Sequence, residues 1–179
     1  MKKLFTVTLL VVTAFIATTT AVSAQSASQS YIEKFKDNAI RIMHETGVPA
    51  SIILGVAMHE SGSGKSAIAQ NLNNQFGVKG GGGAVYYRHN KKVKSSYRRY
   101  ESVLDSFNDF ARIMTQRKQF SHLADQLSSY DYKGWAKGIQ RSGYASSKKW
   151  SAQVLGIINK YDLDELDKAP EQKELAEAN

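Results

Sequence analysis

The stretch Pro49-Ala50-Ser51-Ile52-Ile53-Leu54-Gly55-Val56-Ala57-Met58-His59-Glu60 constrains this chain more than any other. It is apolar through Met58 and opens on a proline, which the first turn of a helix tolerates. It closes on Ser61-Gly62-Ser63-Gly64, where the chain must turn. A helix with no polar face has to be enclosed by the rest of its domain. The surrounding sequence must therefore supply elements that wrap it.

Those elements are legible as periodic blocks. Ile32, Phe35, Ala39, Ile42 and Met43 share one helical face, starting near Tyr31 and ending at Gly47. A short helix is expected around residues 66–70. Gly80 to Gly83 is a glycine run that no regular element is expected to hold. Ala84 to Tyr87 and Tyr97 to Tyr100 read as two short strands, with residues 88–94 as the tip of a hairpin. Ser102 with Asp105 forms a capping pattern before a helix striped by Val103, Phe107, Phe110 and Met114. Further helices are expected around Ser121 to Leu127, after Asp131 with Trp135 and Ile139 inward, and from about Ser147 to Tyr161 with Trp150, Val154, Ile157 and Ile158 inward. The predicted class is α+β with helices dominant, interrupted once by a small β-hairpin.

The chain's first residues read as a leader. Lys2 and Lys3 precede an apolar segment from Leu4 to Ala17, and Val22-Ser23-Ala24 is a small-residue cleavage site. The expected organisation is a signal peptide over residues 1–24, a flexible lead-in over 25–30, a folded domain over 31–165 and a polar tail over 166–179. Export to the periplasm, cell wall or exterior follows, with no stable membrane insertion after cleavage. The chain has no cysteine, so packing alone must hold it, and a thiol nucleophile is excluded. Its formal charge is +8, or +6 once Lys2 and Lys3 leave with the leader. A basic exported protein is drawn to polyanionic surfaces.

Glu60 is the leading candidate for chemistry. A carboxyl at the C-terminal end of a buried helix is poorly hydrated and faces the negative pole of the helix dipole. Both effects favour the protonated acid, the form that can hand a proton to a leaving-group oxygen in glycoside cleavage. Two rival motifs around it fail. Gly64-Lys65-Ser66 resembles the end of a phosphate-binding loop, but His59 stands where the first glycine belongs, and the run follows a helix instead of a strand. His59-Glu60 resembles the start of a zinc-binding HExxH helix, but Ser63 stands where the second histidine belongs. No metal or organic cofactor is expected.

A set of motifs in order points further. Glu60-Ser61-Gly62-Ser63-Gly64-Lys65-Ser66 leads into Asn73-Asn74-Gln75-Phe76-Gly77-Val78-Lys79. Tyr97-Arg98-Arg99-Tyr100-Glu101-Ser102, then Ser106-Phe107-Asn108-Asp109-Phe110, then Gly143-Tyr144-Ala145-Ser146 with Lys149-Trp150 follow in sequence. Together they resemble the glucosaminidase domain family of bacterial peptidoglycan hydrolases, which includes flagellar hydrolases and many autolysins. The resemblance covers residues 31–161.

It implies a lysozyme-like fold and endo-acting cleavage of the β-1,4 bond after N-acetylglucosamine. It implies catalytic roles for Glu60 and Tyr144. It also implies a glycan-binding floor that includes Asn74, Phe76 and Gly77, with Tyr86 as a further substrate contact. Family members often carry a second acid in the hairpin, and residues 86–96 contain none. Without one, the substrate's own N-acetyl oxygen is expected to attack the anomeric carbon; the alternatives are that the nearest carboxylate, Glu101, otherwise a helix-start charge, serves as the second catalytic acid, or that activity is impaired. The alternatives to hydrolysis are a lytic transglycosylase and an impaired wall-binding module. The expected partner is the peptidoglycan glycan strand, bound by a monomer. Arg88, Lys91, Lys92, Lys94, Arg98 and Arg99 interleave with tyrosines, a pattern shared with nucleic-acid binders. An export signal argues against nucleic acid and leaves a solvated face or an attraction for anionic wall components.

Overall fold

The computed structural model describes residues 27–168. The expected leader, residues 25–26 of the lead-in and residues 169–179 of the tail lie outside the described residues. Helix α1 covers residues 27–46, so residues 27–30 are helical instead of forming a flexible lead-in. Ser28 Oγ lies 3.1 Å from Ser63 Oγ, which ties this first turn to the turn after the central helix. The folded unit also runs past residue 165. A 3-10 turn spans Leu163–Leu166, and Asp167 beyond it is buried. Residues 166–168 are therefore packed structure and not tail.

Helix α2, Ala50–Ser61, is the apolar run, and every residue from Ala50 to Met58 is buried. It packs against α4, α6, α7 and the 3-10 turn. Gly62 ends it with φ +60°, and its N–H returns to Met58 O. This left-handed cap suits a glycine. Helix α3, Ala67–Leu72, starts on Ser66, whose hydroxyl accepts from Ala69 N. After the hairpin come α4 (Val103–Gln116), α5 (His122–Gln126), α6 (Tyr132–Arg141) and α7 (Trp150–Lys160). The Ser102/Asp105 capping box is present, and Asp131 caps α6 through Gly134 N. Phe76 stacks on Phe110 at 4.4 Å and meets Phe107 edge-on at 5.0 Å, so the loop before the hairpin is anchored in the aromatic core.

The hairpin differs from expectation in its bounds. Strand β1 runs Lys79–Arg88 and β2 runs Lys91–Tyr97, paired antiparallel. The tip is two residues, His89 and Asn90, with φ +48° and +60°. Such a turn matches the twist of the flanking strands and brings Arg88 opposite Lys91. Residues 91–94 therefore belong to a strand, and Arg98 to Tyr100 do not. That exit segment instead bonds back to the loop before β1, through Arg98 N to Val78 O, and to the end of α3, through Tyr100 N to Leu72 O. The glycine run, expected outside any element, lies within β1 where the register shifts between Lys79 and Ala84. Glycine there accommodates the irregular pairing, with φ +111° at Gly80.

Candidate active site

Three segments converge on the C-terminal end of α2. The end of the helix presents Glu60. The loop from Asn73 to Val78 passes beside it, and the Gly143 to Ser146 turn between α6 and α7 closes the third side. Between them opens a cleft of about 500 Å³ whose lining includes Glu60, Gly77, Lys79, Tyr97, Arg117 and Tyr144. Glu60 is the one carboxylate in that lining among the described residues.

Glu60 is half-buried, and its two oxygens have different surroundings. Oε1 accepts from Trp150 Nε1–H at 2.7 Å. Oε2 lies beside Gly77, 3.5 Å from where a β-carbon on that residue would stand. Gly77 has φ +63°, so it is glycine both for its backbone and for the open space next to the carboxyl. With Oε1 taken as an acceptor, Oε2 is the oxygen free to carry a proton toward the cleft.

Tyr144 faces the same space. Its hydroxyl donates to Phe76 O at 2.8 Å, and its ring packs on Trp150 and edge-on to Phe110. Burial pushes its phenol well above the ordinary tyrosine range, and the charge of Glu60 adds to the shift. Tyr144 is thus a neutral phenol whose oxygen keeps lone pairs for the cleft.

The other expected site residues divide. Phe76 and Gly77 line the cleft. Phe76 does so as a 1% exposed ring sandwiched in the core, so its carbonyl is the part that matters to Tyr144. Asn74 is buried, and its amide donates to Val78 O and Arg98 O while its oxygen accepts from Val78 N. It braces the loop and does not line the cleft. Tyr86 is buried in the hairpin, away from the cleft lining. Glu101 is exposed at the start of α4 and is likewise absent from the lining. The expectation of Glu101 as a second acid therefore finds no support in the cleft lining. Its role is that of a charge near the first turn of α4.

Trp150, read from the sequence as core, is 2% exposed and also holds the candidate acid. A buried indole N–H needs an acceptor, and that rule was the available signal. The hairpin is fixed to α4 by Asp109, which accepts from Arg98 at 2.7 Å, from Tyr100 Oη at 2.7 Å and from Arg112 Nε at 2.9 Å. Burial opposes the Asp109 charge, but these donors and the two guanidinium charges win and hold its carboxyl below the ordinary range.

Comparison with known proteins places this arrangement. The sequence model of the glucosaminidase family, described as mannosyl-glycoprotein endo-beta-N-acetylglucosaminidase, matches residues 36–163. An exo-glucosaminidase LytG of Bacillus subtilis is 29% identical over 157 residues, covering 78% of this chain and 53% of that protein. A peptidoglycan hydrolase FlgJ of Vibrio cholerae is 26% identical over 155 residues, covering 79% of this chain and 46% of that protein. The chain thus spans about half the length of these relatives. The glycoside hydrolase domain of Salmonella typhimurium FlgJ superposes with a TM-score of 0.60 at 22% identity, covering 75% of this chain and 88% of that one. A peptidoglycan hydrolase from Sphingomonas sp. A1 gives 0.61 at 25% identity, covering 79% and 96%. The chain belongs to the glucosaminidase family, with the predominantly helical, lysozyme-like α+β fold of its solved hydrolase domains.

Proposed function

We propose that this chain is a glycoside hydrolase that cleaves the β-1,4 bond after N-acetylglucosamine in peptidoglycan strands, acting within the strand and outside the cytoplasm, as a monomer. The observation that carries the reading is the state of Glu60: a lone carboxyl in an open cleft, one oxygen held by Trp150 and the other free. Glu60 transfers the proton on Oε2 to the bridging oxygen as the bond from that oxygen to the anomeric carbon breaks. Positive charge develops on the sugar, and the Tyr144 oxygen offers its lone pairs to it. The substrate's N-acetyl oxygen attacks the anomeric carbon and forms a cyclic oxazolinium. Glu60, now a carboxylate, takes a proton from the water that reopens that ring. This route asks for no second protein carboxylate, in keeping with the cleft lining.

The same lone acid supports one rival, a lytic transglycosylase, in which a substrate hydroxyl replaces water. Mass spectrometry of products from purified sacculi separates them. Reducing N-acetylglucosamine ends, in fragments longer than a disaccharide early in digestion, are expected. Anhydro-muramyl ends would establish the rival instead, and only monosaccharides from strand ends would make the enzyme exo-acting. Protein bound to sacculi without solubilised fragments would reduce it to a wall-binding module.

A further inference from the structure

The hairpin and its exit carry Arg88, Lys91, Lys92, Lys94, Arg98 and Arg99 with no acid between them. The structure separates these cations by use. Arg98 is held by Asp109. Arg99 donates to the backbone carbonyls of Asn71 and Val85. Arg88, Lys91, Lys92 and Lys94 are exposed and, among the described residues, form no ion pair.

The strand register then sorts the side chains. Directly opposed residues of an antiparallel pair share a face. Tyr86 with Val93 and Ala84 with Ser95 form one face, and these residues are buried or half-buried. Tyr87 with Lys92 and Val85 with Lys94 form the other. On that outer face Tyr87 is 64% exposed and Val85 38%, and both lysines are exposed. On this face an exposed phenol ring stands beside an exposed valine, each opposite an ammonium group that forms no ion pair among the described residues.

The pair of features narrows the partner. A flat ring takes the apolar face of a sugar, and ammonium groups at strand spacing take negative charges on the same polymer. A neutral glycan would leave the lysines idle, and a plain polyanion would leave the ring idle. We propose that the outer hairpin face, Val85, Tyr87, Lys92 and Lys94, docks a carboxylate-bearing glycan. Among the described residues, the hairpin meets the cleft at its base, through Lys79 and Tyr97, so this surface is a second glycan site that does not depend on Glu60.

Fluorescence anisotropy of the full chain with a fluorescein-labelled hyaluronate oligosaccharide tests this. Hyaluronate alternates N-acetylglucosamine with a carboxylate sugar. Wild type is expected to bind it, and Glu60→Gln to bind it equally. Tyr87→Ala should weaken binding by about fivefold or more, while Tyr87→Phe, which keeps the ring, should not. The double variant Lys92→Gln/Lys94→Gln should weaken it by about tenfold at low salt, with a shallower salt dependence than wild type. Circular dichroism melts of each variant verify the fold. Binding unaffected by Tyr87→Ala, or polyphosphate competing as well as unlabelled hyaluronate, would overturn the proposal in favour of bare charge attraction. Tighter binding of an oligo-dT strand, or of anionic phospholipid vesicles, would overturn it in favour of nucleic acid or membrane. No hyaluronate binding at low salt would end it.

Discussion

Helix α2 has a carboxyl group against each of its ends, and the protein uses the two in opposite ways. At the N-terminal end Asp167, arriving from more than a hundred residues away, accepts from Ser51 N at 2.9 Å and from Ser51 Oγ. Both of its oxygens are occupied and it is 3% exposed. At the C-terminal end Glu60 has one oxygen bound by Trp150 and the other open to the cleft. The helix dipole favours an acid at the first position and opposes one at the second. Burial pushes Asp167 up to about 6, against the bonds from Ser51, so a raised carboxyl is not by itself a reagent. What distinguishes a reagent here is access and an unoccupied oxygen, and burial alone does not supply either.

The contrast is sharpest in turnover. Glu60→Gln keeps the shape and the Trp150 bond but removes the transferable proton. Activity on sacculi should fall by about a thousandfold, with an unchanged melting temperature and unchanged sacculus pelleting. Residual turnover within tenfold of wild type would remove Glu60 from the proposed role. Trp150→Phe keeps an aromatic ring, smaller than the indole, and deletes the N–H. It should lower kcat by about tenfold to a hundredfold with KM nearly unchanged, because it frees the acid to rotate without altering the sugar contacts. A matching rise in KM would show that Trp150 binds substrate and does not position the acid. Gly77→Ala comes next, at about tenfold. Its φ of +63° strains any side chain, and the new methyl stands 3.5 Å from Glu60 Oε2.

How much of this could be read from the chain depends on distance along it. The enclosed helix, its glycine exit and Glu60 are contiguous, so local pattern revealed them together. The Ser102/Asp105 and Asp131 caps are local too. Trp150 reaches Glu60 across 90 positions, and Asp167 reaches Ser51 across 116. No period or propensity encodes such pairings. The family resemblance placed Tyr144 in the site, but it also offered Asn74 and Tyr86, which serve the loop and the hairpin interior. The strand bounds were missed for a related reason. Lys91 to Ser96 is exposed along one face and basic, so it lacks the apolar alternation that announces a strand, and the two-residue His89-Asn90 turn sets its register.

The smallest expected effect on turnover, within about twofold, is that of Asp167→Asn, and its readout is stability. A folded-state pKa of about 6 lies above the ordinary 3.8, so the native protein holds this proton more firmly than the unfolded chain does. The contribution of this group to stability is complete below about pH 4 and is lost as pH rises through 6. About two units of difference correspond to roughly 3 kcal/mol between those limits. Asparagine keeps an acceptor for Ser51 N and removes the titration. Urea unfolding of the wild type should therefore show a component that falls between pH 4 and 7, and the same series on Asp167→Asn should lack it. Above pH 7 the variant should be the more stable of the two, since it no longer buries a charge at the closed end of α2. Parallel curves for the two proteins would mean that Asp167 ionises in its pocket as freely as in water, and the contrast between the helix ends would then rest on access to solvent alone.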